Sequence, residues 1–333
     1  MKVFVSIIIG LYLTATWCQE NPYISVKRNF SIFKTDFEIT VVTKNEDIGY
    51  INIEEIVSEL RRVEKLITAD LEDSEVSRIN ANAGVQPVKV SPEIFKLIQR
   101  AIQLSQLTDG AFDITDGVLD DLWRFDGSIT YMPTSAEINS QLDRVGYQKI
   151  QMNEKEHTVF LTKKGMRITF DFMGIGYAID SAKEFMASKG VKAGSIKGGT
   201  IIATWGTKAT GDKWLLGIAN PNPMRLERIF SWVPIVESAV ATCGNNDAFI
   251  TFNNLKYGSN IDPRTGYPAI GVQNVSVFAK SAEYCAALSK AIAILGITHG
   301  MAIINQLDAT EAIIITNDYA LHKSKAVSLH SAP

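Results

Sequence analysis

The stretch Tyr257-Gly-Ser-Asn-Ile-Asp-Pro-Arg-Thr-Gly-Tyr-Pro268 has the composition of a tight turn. Asp262 precedes Pro263, whose ring fixes φ, and an aspartate side chain can accept hydrogen bonds from backbone N–H groups two residues further on. Gly266 can adopt the positive φ that closes such a turn, and Pro268 lacks the N–H that a continuing ladder would need. We therefore predict a turn that begins at Asp262 and closes at Gly266.

Apolar, strand-like runs at 247–252 and 275–279 lie on either side of this turn. Connections between strands run over the surface and often carry functional groups on a rigid scaffold. Asp262, Arg264 and Thr265 would supply a carboxylate, a guanidinium and a hydroxyl there. Two interpretations stay open, an ordinary hairpin connection and a binding site presented by the turn.

The composition of the whole chain is that of a globular protein. Its 333 residues are 46% hydrophobic and 21% charged, with a net charge of −3. That length suits one large domain or two modest ones. The nearly neutral charge predicts no nucleic-acid partner. The four histidines are scattered without ligand spacing, so we predict no metal cluster.

The N-terminal segment 1–18 has the features of a signal peptide, with a short positive start and an apolar run at 3–15. That run is shorter than the roughly 20 residues that cross a bilayer, and no later stretch is long and apolar enough to do so. Cleavage after Cys18 would leave a mature domain at 19–333, exported to the periplasm or secreted. The alternative is a lipoprotein signal that anchors the chain to a membrane through lipid at Cys18.

Hydrophobic periodicity predicts helices and strands that interleave irregularly, which is typical of a mixed α/β or α+β fold. The predicted helices occupy 51–68, 91–107, 178–189 and 281–296, and the predicted strands include 37–42, 168–173, 200–205, 214–218 and 311–316.

Three local patterns each allow two interpretations. Gly174-x-Gly176, between a predicted strand and helix, could hold a phosphate at the helix N-terminus or permit close packing. Asp113 and Thr115 would share one face of a strand, or the aspartate could cap its own turn. Cys243 and Cys285 could form a disulfide or remain thiols.

A series of motifs lies along residues 30–328. They are Ser74-Glu-Val-Ser-Arg-Ile-Asn80, Asp109-Gly-Ala-Phe-Asp-Ile-Thr115 with Leu122-Trp123, Gly176-Tyr-Ala-Ile-Asp180, Gly198-Gly199, Trp214-x-x-Gly217-Ile218-x-x-Pro221, Ala241-Thr-Cys-Gly244, Ile261-Asp-Pro-Arg-Thr-Gly266 and Ala287-Leu288. In their order and spacing these motifs resemble the FAD:protein FMN transferases, the family formerly called thiamine biosynthesis lipoproteins.

The resemblance implies a flavin transferase-like fold, with mixed sheets flanked by helices and two intertwined subdomains as one arrangement of 19–333. It implies FAD as the ligand and, in the family, Mg²⁺ as the metal. Family members cut FAD and attach FMN through a phosphoester to a threonine or serine of a partner flavoprotein. That partner would here belong to a membrane redox complex.

The resemblance also assigns site residues. It implies that Asp262, Arg264 and Thr265 form a catalytic turn. The positions that it implies contact flavin are Asn80, Ala111, Phe112, Asp113, Thr169 and Ile175. The positions that hold Mg²⁺ in the family correspond to Phe172, Ala286 and Lys290, which are substituted here. Alanine cannot ligate a hard cation and lysine repels one.

The resemblance and these substitutions together leave three functions open. The first is FMN transfer with an altered metal site, and the alternatives are a catalytically inactive paralogue that binds flavin or a partner, and an FAD diphosphatase. Two interpretations of Lys290 stay open. Its ammonium could take the place of the lost metal and neutralise a diphosphate, or its side chain could reach solvent. We also expect Phe112, Ile175, Lys290 and the turn at Arg264 to border one cleft.

Overall fold

The computed structural model describes residues 22–125, 128–129, 131–219, 229–244, 249–252 and 255–330. The predicted signal segment, including Cys18, lies outside the described residues, as do residues 247 and 248 of one predicted strand. Within the described ranges the chain forms seven α-helices: α1 Glu46–Ile67, α2 Glu75–Ala81, α3 Pro92–Leu107, α4 Gly117–Trp123, α5 Ser135–Leu142, α6 Asp171–Ser188 and α7 Ala282–Ile304.

The strands form one large sheet and three small ones. Their bounds are β1 Ile24–Ile32, β2 Thr35–Thr43, β3 Val88–Lys89, β4 Ile150–Asn153, β5 Thr158–Leu161, β6 Ala193–Gly198, β7 Ile201–Trp205, β8 Trp214–Ala219, β9 Ile229–Ile235, β10 Ala239–Gly244, β11 Phe249–Phe252, β12 Leu255–Gly258, β13 Val272–Ala279, β14 Glu311–Thr316 and β15 Leu321–Lys323. The large sheet has the order β1-β2-β6-β7-β10-β13-β14-β15, and its pairings are antiparallel. The predicted mixture of helices and strands is confirmed.

Helix α1 packs on the first two strands because its apolar residues recur at helical spacing. Ile53, Ile56 and Leu60 are fully buried on its inner face. The Asn45 side chain caps the helix by accepting from the Ile48 backbone N–H at 3.0 Å. The predicted helix is confirmed, and it begins earlier, at Glu46.

Helix α3 precedes the candidate site in the chain, and the helix predicted at 91–107 is confirmed. The Ser91 hydroxyl accepts from the Ile94 backbone N–H at 3.2 Å, and Pro92 occupies the first turn. The helix ends at Leu107, where the Thr108 hydroxyl donates to the Leu104 carbonyl at 2.8 Å. The loop that follows, residues 108–116, carries several of the predicted site residues.

The predicted strand at 168–173 is wrong, because helix α6 already begins at Asp171. Gly174 and Gly176 therefore lie inside the helix, and neither forms a phosphate-binding turn at its N-terminus. A Cβ at Gly176 would come within 2.5 Å of the Ala282 carbonyl oxygen, and one at Gly174 within 2.6 Å of Ile67 Cδ1. The glycines permit close packing of α6 against α7 and α1, as the second interpretation proposed.

Helix α7 is the central helix of the core. In the described part of the chain it is the one helix that is long and apolar enough to cross a membrane. The expectation that no stretch after the signal segment meets these two criteria is therefore wrong. Its residues pack against α6, β10 and β13, and most of its first half is buried. Core packing accounts for its apolar composition.

The two cysteines of the described chain are not joined by a disulfide. Cys285 is buried on α7, where its thiol donates to the Ala239 carbonyl at 3.5 Å. Cys243 lies at the other end of β10 from Ala239, and its thiol is 3.1 Å from Asn260 Oδ1. Burial raises the pKa of the Cys285 thiol, which keeps it protonated.

Candidate functional site

The loop at 108–116 is held in shape by Asp113. The Asp113 carboxylate accepts from the Thr115 backbone N–H at 2.9 Å, from the Thr115 hydroxyl at 2.7 Å and from the Tyr147 backbone N–H at 2.7 Å. The residue is 3% exposed, and burial raises the pKa of Asp113 to about 6. Of the two interpretations of Asp113 and Thr115, the second is confirmed, because the aspartate caps its own turn and the two residues do not lie on a strand.

An ion pair crosses from this loop to α7. Lys290 Nζ donates to Asp116 Oδ2 at 2.6 Å, and the two side chains are 22% and 9% exposed. Burial disfavours the charged ammonium, but the charges of Asp116 and Asp120 and the hydrogen bond to Asp116 raise the pKa of Lys290 above its usual value. The interpretation of Lys290 as a lysine that reaches solvent is therefore wrong.

Hydrogen bonds from α2 and from the loop at 108–116 hold the segment before α6 in place. The Asn80 side chain donates to the Ile168 carbonyl at 2.9 Å and accepts from the Ile168 backbone N–H at 2.8 Å. The Thr169 backbone N–H donates to the Ile114 carbonyl at 2.8 Å. Asn80, predicted to contact flavin, thus uses its amide to position the strand-like segment that enters α6.

Six of the predicted residues converge on one small cavity. Its volume is about 10 Å³, roughly the room for one water molecule. The predicted residues that line it are Phe112, Asp113, Thr169, Phe172, Ala286 and Lys290. Ala111, the remaining predicted residue of the loop, is fully buried in the core beside it.

The turn around Arg264 adopts the predicted shape. Gly266 has φ of 74°, and Asp262 Oδ1 accepts from the Arg264 backbone N–H at 2.9 Å. The Arg264 guanidinium also donates to both oxygens of the Asp262 carboxylate at 2.8 Å, and the Thr265 hydroxyl accepts from the Tyr267 backbone N–H at 3.3 Å. The three predicted catalytic side chains thus bond mainly within their own turn.

One contact brings this turn to the loop at 108–116, and another brings it to helix α4. A Cβ at Gly110 would lie 3.6 Å from Arg264 Cγ, so the arginine stem runs beside the start of the loop. The buried Trp123 indole donates to the Gly266 carbonyl at 2.8 Å. The turn belongs to the same region as the loop, although strand β12, which the sequence pattern did not predict, precedes it.

Ile175, one turn after Phe172 on α6, lies next to the glycine pair of the β6–β7 hairpin. A Cβ at Gly198 would meet Phe37 at 2.6 Å and Ile175 Cγ2 at 3.2 Å. Beside it, Gly199 takes φ of 56° and borders a cavity of about 720 Å³ with Thr35 and Lys197. Phe112 and Lys290 line the small cavity, whereas Ile175 and Arg264 do not. The small cavity is therefore not the predicted cleft bordered by all four residues.

The largest cavity described lies elsewhere, between α3, α6 and α7. Its volume is about 970 Å³, and none of the predicted site residues lines it. The paired Arg100 and Glu283 lie in its wall, with the guanidinium donating to both carboxylate oxygens at 2.7 and 2.8 Å. Size alone therefore does not identify the candidate site.

The residues to which the resemblance assigned Mg²⁺ do not supply ligands for it. Mg²⁺ takes six oxygen ligands at about 2.0–2.1 Å. Ala286 offers no side-chain oxygen, and the Lys290 ammonium already occupies the side of Asp116 that faces the cavity. In the described ranges no group of three or more His, Cys, Asp or Glu residues could hold a metal.

Asp116 is the functional candidate that the sequence pattern missed. It follows Asp113 by one turn in Asp113-Ile-Thr-Asp116, which is the only local hint of its role. Its partner lies 174 residues further along the chain, and no local pattern connects the two.

Comparisons with known proteins agree with one another. The model of the ApbE family matches residues 33–314. A protein of Klebsiella pneumoniae named FAD:protein FMN transferase is 26% identical over 82% of this chain and 85% of its own, and one of Treponema pallidum with the same name is 25% identical over 83% and 80%.

Solved structures show the same likeness. The ApbE protein of Thermotoga maritima superposes with a TM-score of 0.81 at 26% identity, over 91% of this chain and 97% of its own. The flavin transferase ApbE of Vibrio cholerae superposes with a TM-score of 0.80 at 22% identity, over 93% and 98%, which shows a shared fold.

Proposed function

This chain belongs to the ApbE family, and we propose on that premise that it transfers FMN from FAD to a hydroxyl side chain of a partner flavoprotein. The match to the family model over residues 33–314 carries the proposal, because it includes every residue of the candidate site. Relatives that match most of their own length are named FAD:protein FMN transferase. FAD is thus the substrate, and a protein is the acceptor.

The reaction exchanges a phosphoanhydride bond for a phosphoester bond. The acceptor oxygen attacks the phosphorus on the FMN side of the FAD diphosphate, and the bond from that phosphorus to the bridging oxygen breaks. AMP leaves with the bridging oxygen, and the hydroxyl proton passes to a base or to solvent. Such transfers depend on holding the diphosphate in line with the attacking oxygen and on matching its negative charge.

The surroundings of the candidate site suit these tasks. Phe172 and Ile175 lie one turn apart on α6, so their half-buried side chains share one helix face and offer an apolar surface to a ring system. Gly199 lets the backbone approach a ligand closely beside Thr35 and Lys197. We assign Asp262, Arg264 and Thr265 to shaping the site around the transferred group.

The acceptor and the location are narrower proposals. We propose that the acceptor carries a threonine or serine target and belongs to a membrane redox complex. The signal-like segment 1–18 supports export to the periplasm or secretion. N-terminal sequencing of the mature chain, with a radiolabelled fatty acid to test Cys18, distinguishes simple cleavage from a lipid anchor.

The transfer is tested by incubating the purified chain with FAD and an acceptor flavoprotein, with and without Mg²⁺. We expect a covalently yellow acceptor and an equal amount of AMP, and an acceptor with alanine at its target position is the control. AMP and free FMN without labelling would indicate an FAD diphosphatase. Bound FAD that stays intact would indicate a non-catalytic paralogue, and both results contradict transfer.

A further inference from the structure

The Lys290 ammonium lies beside a buried carboxylate at a position lined by Phe172 and Ala286. We propose that this ammonium is a built-in cation, which takes the place of a divalent metal ion next to Asp116 and lets the chain bind a flavin diphosphate without magnesium. The binding of flavin rests on the proposed function, whereas the exclusion of a divalent ion does not.

Burial distinguishes this pair from a surface ion pair, since the exposed pair of Lys27 and Glu38 has the same N–O distance. Nζ and Oδ2 are 2.6 Å apart, and the Asp116 side chain is only 9% exposed. Lys290 comes from α7 and Asp116 from the start of α4, so the ammonium joins two separate parts of the fold as a bound ion would. An exposed ion pair gains little free energy from such a contact. The burial of the Lys290–Asp116 pair therefore indicates that its charges interact more strongly.

The space around the ammonium leaves no room for a second cation. The cavity that it borders has a volume of about 10 Å³, enough for about one water molecule. Mg²⁺ in protein sites usually keeps several of its waters, and these need more room than that. A divalent ion could reach Asp116 only if the lysine side chain moved away.

The negative charges around Lys290 also favour a cation at this position. Asp116, Asp120 and Asp171 all act on the ammonium electrostatically and favour its charged form. An ammonium has three N–H donors, so it can bond Asp116 and a phosphate oxygen at the same time, as a metal bridges a carboxylate and a phosphate. Removing it would leave several carboxylates around an enlarged cavity.

The first experiment needs no flavin. The melting temperature of the wild-type protein and of Lys290→Ser is measured with EDTA, with Mg²⁺ and with Mn²⁺. We expect the wild type to be indifferent to both ions and the variant to be stabilised by them, because serine frees Asp116 and adds an oxygen. Lys280→Ser, which removes an exposed lysine just before α7, controls for the loss of one positive charge.

Two results would overturn the built-in cation. One is stabilisation of the wild type by Mg²⁺ or Mn²⁺, and the other is a folded Lys290→Ser variant that neither ion affects. If the serine variant does not fold, the wild-type measurement still decides, with Mn²⁺ binding followed by electron paramagnetic resonance.

The second experiment measures FAD affinity by fluorescence quenching. For the wild type we expect dissociation constants in EDTA and in Mg²⁺ that agree within about twofold, and for Lys290→Ala an affinity lower by about tenfold or more. An unchanged affinity in Lys290→Ala, or a tenfold gain from Mg²⁺ in the wild type, contradicts the proposal. Absence of FAD binding under every condition would instead contradict the proposed function and leave the metal-exclusion result untouched.

Discussion

Two carboxylate–cation pairs flank the candidate site, and they differ in almost every physical respect. Asp262 and Arg264 are two residues apart on one turn, and their side chains are 14% and 36% exposed. Asp116 and Lys290 are 174 residues apart, and both side chains are largely buried. The first pair is part of the local chemistry of a turn, whereas the second exists only because the fold brings α4 and α7 together.

This difference determines what each pair can do. The pair at Arg264 has one partner at the surface, so water can replace the guanidinium when the pair breaks, and the pair contributes little to stability and can respond to a ligand. A buried pair that loses one partner leaves an uncompensated charge in a low-dielectric interior. The turn at Arg264 is thus suited to contact a substrate, and the pair at Lys290 to hold a fixed charge.

The largest expected effect is the loss of one member of the buried pair. Lys290→Met should lower the free energy of unfolding by about 3–5 kcal/mol, because Asp116 remains buried without its cation. The double variant Lys290→Met with Asp116→Leu should regain most of that loss. Chemical denaturation of the three proteins measures this, and a cost below about 1 kcal/mol for the single variant would place the pair in the same class as the exposed one.

The next effect concerns pH and Asp113. Its pKa of about 6 in the folded chain lies above the ordinary value of about 4, so the folded state binds the extra proton between these values. Stability from this group is present below pH 4 and is lost as the pH rises through 6, by about 2–3 kcal/mol. Denaturation at pH 4 and pH 7 should show a smaller difference for Asp113→Asn; an equal difference in both proteins would contradict this.

The turn itself should be sensitive at Gly266. Alanine there must adopt positive φ, and its Cβ would lie 2.5 Å from Ile138 Cγ2, so Gly266→Ala should cost about 1–3 kcal/mol. Gly190 also has positive φ, at 79°, but no atom lies within 4 Å of a Cβ placed there. Gly190→Ala is therefore the matched control, and equal costs in thermal denaturation would exclude a role for the Ile138 contact.

The smallest expected effect on stability belongs to the exposed pair. Arg264→Met should cost less than about 1 kcal/mol, because Asp262 keeps its hydrogen bond from the backbone N–H of residue 264 and the apolar stem beside Gly110 is retained. Arg28→Met, which breaks the exposed pair with Glu54, is the control. A lower rate of FMN transfer in Arg264→Met, with stability unchanged, would assign the arginine to the substrate; unchanged transfer would leave it a turn residue.

Local features were predictable where neighbouring residues suffice. The caps at Ser91 and the closing Gly266 were confirmed, since each depends on residues within one turn. The strand predicted at 168–173 was wrong, because its apolar residues are typical of a strand and of a buried helix start alike. The roles of Gly174 and Gly176 became clear only when α6 was seen against its neighbouring helices.

The sequence by itself determined the family, the mixture of helices and strands and most of the residues that converge on the small cavity, because these follow from motif order and hydrophobic periodicity. The tertiary structure alone decided that Lys290 is buried against Asp116, since the electrostatic environment of a side chain depends on residues that are distant in the chain. It also separated Cys243 from Cys285, as the two lie on different elements of the core.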